Sequence, residues 1–254
     1  MQSAARELLA GGVLAGLGAV LVVLAVRAKR RTRFTTGQAL LMALNYAYTR
    51  IIWRTTVVGT LELDPDEGAL FVSNHRCSLD PAFIGRTVDR MVHWMVAKEY
   101  VDSPWIGWLF RVCRSIPVSR GGIDTAATKM AIRYAQGGGL VGIFPEGRIN
   151  TTRRLLLPGR PGAALVALRA RVKVVPCYIE GSPFDGTVWG CLFMSAKVRL
   201  VIGRPIDLSP YYDRADDRQV QEMLTKRFLK EIAALAGDPD FQPSLAGRFY
   251  KPEQ

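Results

Sequence analysis

The chain has 254 residues, 49% of them hydrophobic, which is enough for one large α/β domain or two small ones. Its formal net charge is +12, and a basic cluster that directly follows an apolar stretch fits anionic lipid headgroups better than nucleic acid. The four cysteines show neither metal-site spacing nor a CxxC pair, so the sequence predicts free thiols and no metal site.

The first predicted element is a membrane-spanning helix over residues 5–27. Its centre, Leu8 to Val26, carries no charge and as a helix would span roughly 28 Å, close to the hydrocarbon thickness of a bilayer. A cleaved signal peptide would carry its charge in front, and a buried helix would need protein on every side. Five basic residues follow the stretch: Arg27, Lys29, Arg30, Arg31 and Arg33. They predict that the remaining chain lies on the cytoplasmic side.

Residues 35–53 predict a second helix, with apolar residues near one face and aromatic residues suited to the headgroup layer. An ordinary amphipathic helix packed on the domain fits the same pattern. We therefore expect membrane-anchoring helices within residues 1–54 and a second domain over residues 55–254.

After residue 54, short apolar segments alternate with helical ones. This pattern predicts an α/β fold with a mostly parallel twisted sheet of about seven strands flanked by helices. The strand candidates are Val57–Leu63, Ala69–Ser73, Val92–Ala97, Ser115–Val118, Leu140–Phe144, Lys173–Ile179 and Lys197–Ile202. The helix candidates are Pro81–Val88, Pro104–Val112, Asp124–Gln136, Pro161–Arg171 and Asp216–Ala236. Pro176 suggests that its strand lies at an edge or contains a bulge.

Polar side chains follow several of these strands, and the first pair is His75 and Asp80, after Ala69–Ser73. Histidine can accept a proton from a hydroxyl near neutral pH, and a nearby carboxylate can orient its ring. The alternative is a structural pair, in which Asp80 caps a helix that starts at Pro81 and His75 is a satisfied, half-buried side chain.

Two further segments carry cations at strand ends. Arg120 follows Ser115–Val118, and its guanidinium can bind a phosphate with two parallel hydrogen bonds. In the other segment Gly147 permits close backbone approach by a ligand, and Arg148 offers a second cation. Glu146 can orient an arginine or a substrate hydroxyl. Taken singly, these segments are also compatible with a solvated loop arginine and a simple turn.

Four blocks in this order resemble the motifs of the PlsC-type glycerolipid acyltransferases, which include the 1-acylglycerol-3-phosphate acyltransferases. The blocks are His75-x4-Asp80, Ile116-Pro117-Val118-Ser119-Arg120, Phe144-Pro145-Glu146-Gly147-Arg148 and Val175-Pro176, within roughly residues 57–205. Lysophosphatidate enzymes usually carry a threonine before the last arginine of the third block. Here Arg148 follows Gly147 directly, which resembles the acyltransferase half of bifunctional enzymes that reacylate lysophosphatidylethanolamine.

The resemblance implies a glycerol-3-phosphate acyltransferase-like fold preceded by a membrane helix pair. It implies acyl transfer from a thioester to the free hydroxyl of a lysophospholipid, first of all 1-acylglycerol-3-phosphate, giving phosphatidic acid. His75 would be the general base and Asp80 its orienting partner. Four residues would bind substrate: Arg120, Glu146, Gly147 and Arg148. No cofactor is implied, since acyl-CoA or acyl carrier protein is a co-substrate, and the expected location is the bacterial inner membrane.

Other functions remain open from the residues alone. Cys77, two positions from His75, is a candidate nucleophile that would form an acyl-cysteine. A thioesterase or lipid hydrolase would use His75 to activate water. A catalytically silent lipid-binding or membrane-scaffold protein would bind lipid without chemistry, and a nucleic-acid binder is the least favoured reading of the positive charge.

Overall fold

The architecture comes from a computed structural model that describes residues 12, 16, 18–20, 22, 23, 26, 32–119, 124–184, 186, 187 and 190–247. Seven strands form one sheet: β1 (Thr56–Val58), β2 (Ala69–Ser73), β3 (Val92–Ala97), β4 (Ile116–Val118), β5 (Leu140–Ile143), β6 (Lys173–Glu180) and β7 (Arg199–Ile202). The principal helices of the described part are α1 (Thr36–Ile51), α2 (Asp80–Gly85), α3 (Lys98–Val101), α4 (Gly107–Val112), α5 (Thr125–Gln136), α6 (Gly162–Ala170) and α7 (Arg218–Leu235). Two 3-10 helices cover Gly190–Phe193 and Ser209–Arg214.

The sheet has the strand order β1-β7-β6-β2-β5-β3-β4. Every neighbouring pair is parallel except β6 and β7, which run antiparallel. The predicted mostly parallel sheet of about seven strands is therefore confirmed. Because β2 lies between β5 and β6, the carboxyl ends of these three strands meet at one edge of the sheet, where α/β folds build their sites.

The central strand β2 is buried on both faces, as its uninterrupted apolar sequence requires in a parallel sheet. Leu70 and Val72 pack in the core beneath α5, α6 and α7. Ala69 and Phe71 point to the opposite face and pack in a second core that includes Trp53. Side chains alternate across a strand, so one short segment links both cores and fixes the position of the residues that follow it.

Pro176 was predicted to mark a sheet edge or a bulge, and the edge alternative is wrong because Pro176 lies in the interior strand β6. It pairs with Val72 of β2 on one side. On the other side the antiparallel pairing passes from Cys177 and Ile202 to Val174 and Ile206, so the partner segment has one residue more than β6 over this stretch. This extra residue is a bulge beside Pro176, in agreement with the other alternative, and the carbonyl of Pro176 accepts a 2.8 Å hydrogen bond from the backbone N–H of Gly203.

Local signals account for most element boundaries. Asp124 caps α5 by accepting a 2.9 Å hydrogen bond from the backbone N–H of Ala127. Thr35 and Gln38 form a capping box at the start of α1. Strand β1 ends well before the predicted Leu63, because Gly59 has a φ of +88° and leads the chain away from the sheet. The short helix α3 was not predicted.

The predicted membrane-spanning helix over residues 5–27 lies largely outside the described residues and stays a prediction. The residues described between 12 and 26 are helical. Within the part of the chain that the structure describes, no helix has both the length and the apolarity needed to cross a bilayer. Arg33, the one described member of the basic cluster, forms an ion pair of 2.5 Å with Asp66.

Candidate active site

Three polar residues meet at the edge formed by the ends of β2, β5 and β6. His75 follows β2, Glu146 follows β5 and Ser182 follows β6. The order of the three strands brings these residues together although they are far apart in the sequence. The structure thus places His75 and Glu146, both predicted as site residues, at one site and adds Ser182 to them.

The imidazole of His75 is hydrogen-bonded to the carboxylate of Asp80, with 3.0 Å between Nδ1 and Oδ2. The side chain of Asp80 is fully buried, whereas that of His75 is 15% exposed. Oδ2 of Asp80 also accepts the backbone N–H groups of Arg76 at 2.6 Å and Cys77 at 2.9 Å, and Oδ1 accepts the hydroxyl of Ser182 at 2.7 Å. Because an ionised carboxylate only accepts hydrogen bonds, Nδ1 carries the proton and Nε2 is left as a base.

The structural alternative for Asp80 as a helix cap is wrong. Leu79 is the residue that precedes α2, and Asp80 is the first residue of the helix, followed by Pro81. The helix start has no side-chain cap, because the Asp80 carboxylate turns back to the segment that carries His75. The carboxylate therefore organises the histidine loop.

A stack of aromatic rings fixes the plane of the His75 imidazole. Phe144 stacks on it with ring centroids 3.8 Å apart and an interplanar angle of 4°. Trp94 stacks in turn on Phe144, with ring centroids 4.7 Å apart. Gly142 makes room for Trp94, since a Cβ atom at that position would lie 2.4 Å from the indole ring. Sequence reasoning missed Trp94 and Gly142, because only the sheet brings β3 beside β5.

Glu146 is 2% exposed and holds the main chain of the site. Its two carboxylate oxygens accept the backbone N–H of His75 at 2.9 Å and that of Leu157 at 2.7 Å. Burial raises the pKa of this carboxyl to about 7, although the two hydrogen bonds act in the opposite direction. The predicted contact between Glu146 and substrate stays a prediction, and the geometry gives this residue a positioning role.

Arg76 connects the loop after Glu146 to the segment that carries His75 through hydrogen bonds. The sequence did not indicate this role. Its guanidinium donates to the carbonyls of Asn150 at 3.1 Å, Thr152 at 2.5 Å and Arg154 at 2.5 Å. The backbone N–H of Asn150 donates in turn to the carbonyl of His75 at 2.7 Å. The only signal in the sequence was the position of Arg76 directly after the histidine.

The structure describes two of the other three predicted substrate-binding residues. Gly147 adopts a φ of +69°, a conformation that favours glycine. Arg148 is exposed and makes no hydrogen bond or ion pair with the described residues. Arg120 lies outside the described residues, so its predicted place beside the acceptor stays a prediction.

Cys77 is fully buried beside the site, and its sulfur accepts a 3.3 Å hydrogen bond from the backbone N–H of Leu79. Burial raises the pKa of the thiol far above its usual range. A buried thiol that resists ionisation is a poor nucleophile, so the geometry favours direct attack by the acceptor over an acyl-cysteine.

A cavity of about 260 Å³ lies beside Arg76 and Ser182, and neither His75 nor Asp80 is among its lining residues. Arg76, Asn150, Tyr178 and Ser182 contribute polar groups to its lining, and Phe184 contributes an apolar one. Among the residues that the structure describes, no group of three His, Cys, Asp or Glu side chains is arranged to hold a metal ion. The arrangement is equipped for proton transfer by an oriented histidine.

Comparison with known proteins agrees with this geometry. A model of the Acyltransferase family matches residues 54–180. The 1-acyl-sn-glycerol-3-phosphate acyltransferase of Bacillus subtilis (strain 168) is 29% identical over 145 residues, covering 57% of this chain and 69% of that protein. An uncharacterized protein of Mycobacterium tuberculosis is 28% identical over 225 residues, covering 71% of this chain and 60% of that protein.

The fold is similar to the crystal structure of the 1-acyl-sn-glycerophosphate (LPA) acyltransferase PlsC from Thermotoga maritima. The TM-score is 0.57 at 21% sequence identity, covering 82% of this chain and 88% of that chain. The family model spans half of the chain and contains His75, Asp80 and Glu146. The chain therefore belongs to the acyltransferase family, among the PlsC-type glycerolipid acyltransferases.

Proposed function

We propose that this acyltransferase moves a fatty acyl group from an acyl thioester to the free hydroxyl of a lysophospholipid, with 1-acylglycerol-3-phosphate giving phosphatidic acid as the first candidate. The hydrogen-bonded pair of His75 and a fully buried Asp80 is the observation that carries this function. The names of the relatives from Bacillus subtilis and Thermotoga maritima support this acceptor. The direct succession of Gly147 and Arg148 supports lysophosphatidylethanolamine as the alternative acceptor.

The proposed chemistry is direct attack without an acyl-enzyme. Nε2 of His75 takes the proton of the acceptor hydroxyl as the oxygen attacks the thioester carbonyl. The new C–O bond forms and the C–S bond breaks. The imidazolium then returns its proton to the leaving thiolate, which departs as a thiol. General-base assistance of this kind contributes typically about 10²–10⁴-fold, so positioning of the two substrates must supply much of the remaining acceleration.

Asp80 would keep the imidazole in the tautomer that this step requires. Because it is buried and accepts four hydrogen bonds, it stays in place while the ring gains and loses a proton. Arg120 and Arg148 would hold the acceptor's phosphate. The donor would be acyl-CoA or acyl carrier protein, with no further cofactor.

The composition of α1 supports attachment to a membrane surface. Its buried residues are small or polar: Gln38, Ala39, Ala43 and Thr49. Three of its large apolar residues are exposed instead, with Leu40 at 43%, Leu44 at 45% and Ile51 at 69%, whereas Leu41 and Met42 are half-buried. A helix at a water-exposed protein surface has the reverse pattern, so we propose that this face lies against lipid.

Exposed aromatic residues border α1 at both ends. Trp105 is 84% exposed and Trp108 55%, and their segment is tied to the start of α1 by a hydrogen bond from Gln38 to the carbonyl of Val112. Phe193 is 88% exposed in the segment that accepts hydrogen bonds from the last turn of α1 and from the residues that follow it. Together with the predicted helix over residues 5–27, these residues would hold the enzyme at the cytoplasmic face of a bacterial inner membrane.

The decisive experiment is a two-readout assay of the purified full chain. Acyl-CoA or acyl carrier protein is supplied with lysophosphatidate, lysophosphatidylethanolamine or glycerol 3-phosphate, and thiol release and lipid product are measured together. The expected result is equal release of thiol and formation of ester, both abolished in His75→Ala and strongly reduced in Asp80→Ala. Thiol release without a lipid product would instead identify a thioesterase, and neither product with any donor or acceptor would contradict the proposal.

A further inference from the structure

We propose that Arg160, on the segment that leads into α6, is a further substrate-binding residue that holds the phosphate of the acceptor together with Arg148. This inference rests on the proposed function and deepens it, because it assigns part of the acceptor site to a residue outside the four motif blocks. Its starting point is the contact between Arg160 and the loop that carries Glu146.

The stem of the Arg160 side chain lies next to the backbone of Gly147. A Cβ atom on Gly147 would lie 3.0 Å from Cδ of Arg160 and 3.3 Å from Nε. The backbone N–H of Arg160 donates a 2.8 Å hydrogen bond to the carbonyl of Pro145, which fixes the two segments side by side. Glycine at position 147 therefore has two effects: it adopts a positive φ, and it leaves the space that the arginine stem occupies.

Arg160 is half-buried as a residue, and its guanidinium makes no hydrogen bond or ion pair with the described residues. This contrasts with Arg76, whose guanidinium is engaged by three carbonyl groups. The carboxylates of the site are already engaged, since Glu146 accepts two backbone N–H groups and Asp80 binds His75 and Ser182. A cation with unused donors is suited to an anion, and its planar fork matches a phosphate.

The anion would be held close to the base. Arg148 follows Gly147 directly and is also unpaired among the described residues, so two cations flank one glycine. The same loop is fastened to the histidine segment, because Glu146 accepts the N–H of His75 at 2.9 Å. A phosphate bound by Arg148 and Arg160 would thus be fixed relative to the imidazole, which is what presentation of a nearby glycerol hydroxyl requires.

The test compares Arg160→Gln with Arg227→Gln, which removes the same charge from an exposed position on α7. With lysophosphatidate as acceptor, we expect the KM of Arg160→Gln to rise roughly 10-fold or more, with kcat within about 2-fold of the wild type. The KM for monoacylglycerol, which lacks the phosphate, should not change. Arg160→Met keeps an unbranched stem against Gly147 and supplies the same comparison should Arg160→Gln fail to fold.

A binding measurement separates this inference from the proposed function. Inorganic phosphate should raise the melting temperature of the wild type and of Arg227→Gln, but raise that of the Arg160 variants much less. An unchanged KM for lysophosphatidate in both Arg160 variants would overturn the inference while leaving the acyltransfer activity intact. The phosphate measurement also decides the case in which the wild type forms no ester with any acceptor. Equal stabilisation of the wild type and all variants by phosphate would then overturn the inference about Arg160. Loss of this stabilisation in the Arg160 variants alone would support an anion site at Arg160 without acyltransfer.

Discussion

The carboxylate of Glu146 accepts the backbone N–H of His75 at 2.9 Å, so the third motif block holds the first through the main chain. The other carboxylate oxygen accepts the N–H of Leu157 at 2.7 Å. Glu146 thereby connects the histidine loop, its own loop and the approach to α6. Because this side chain is 2% exposed, neither N–H group would find water in its place.

Replacement of Glu146 by glutamine tests this positioning role. The amide keeps one acceptor but presents an NH₂ group to one of the two N–H donors, which leaves a buried donor unpaired and costs roughly 1–3 kcal/mol. We expect Glu146→Gln to lower both kcat and the free energy of unfolding, with a smaller change in the KM for lysophosphatidate. A change confined to KM would indicate that Glu146 acts mainly by contacting substrate.

The raised pKa of Glu146 predicts a pH dependence of stability. The folded protein keeps a proton on this carboxyl up to a pKa of about 7, whereas the unfolded chain releases it near the ordinary value of 4.5. Since the folded state binds more protons in this window, the contribution of Glu146 to stability is complete below the window, falls as pH rises through it and then levels off. Denaturant unfolding should show the wild type losing roughly 1 kcal/mol per pH unit relative to Glu146→Gln in this window. Parallel curves for the two proteins would contradict the shifted pKa.

Ser182 is expected to matter through Asp80. Its hydroxyl donates to Oδ1 of the buried carboxylate at 2.7 Å, and hydrogen bonds to charged groups contribute about 1.5–3 kcal/mol. Ser182→Ala should lower kcat about 10-fold with little effect on KM, because Asp80 then holds the imidazole less firmly. Ser195→Ala, at an exposed position, is the matched control and should behave like the wild type. Equal kcat values for both variants would remove Ser182 from the site.

The burial of Cys77 predicts that its thiol does not take part in the reaction. Cys77→Ala should retain most of the activity, whereas His75→Ala should have none, and intact-mass spectrometry of the wild type with acyl-CoA should detect no acylated protein. Loss of activity in Cys77→Ala with a trapped acyl-enzyme in the wild type would replace direct attack by a covalent mechanism.

The sequence identified site residues that follow a strand, but it did not predict which residues from different strands contact one another. His75 and Asp80 were found because they lie within five positions of each other after an apolar run, and such local spacing is visible in a sequence. Ser182 and Trp94 were missed because they reach the site only through the pairing of β6 with β2 and of β3 with β5. Strand order is a tertiary property that no local pattern encodes.

The proline of β6 illustrates the same limit. Pro176 correctly marked an irregularity of the sheet, but the sequence could not distinguish a sheet edge from a bulge in the pairing with β7 and the residues that follow it. The sequence also could not show which face of α1 packs on the protein, because its apolar residues are compatible with a helix packed on the domain and with a helix lying on lipid. Only the positions of Ala39 and Ala43 against the protein indicate which face points outward.

That orientation predicts how α1 responds to polar substitutions. Leu44→Gln and Ile51→Gln change exposed side chains, so the free energy of unfolding should stay within about 0.5 kcal/mol of the wild type. Activity on lysophosphatidate in vesicles should fall several-fold, since less apolar surface enters the bilayer, while activity on a water-soluble short-chain acceptor should not change.

Met223→Gln is the matched control, because Met223 is 43% exposed on α7, which packs on the opposite face of the sheet from Trp53. This variant should keep wild-type activity both on lysophosphatidate in vesicles and on the water-soluble acceptor. A marked drop in melting temperature for Leu44→Gln and Ile51→Gln, with equal losses on both acceptors, would mean that the α1 face packs against protein. Vesicle-specific loss in the α1 variants alone requires that this face contacts the membrane, because the two helices differ in position but not in the chemistry of the substitution.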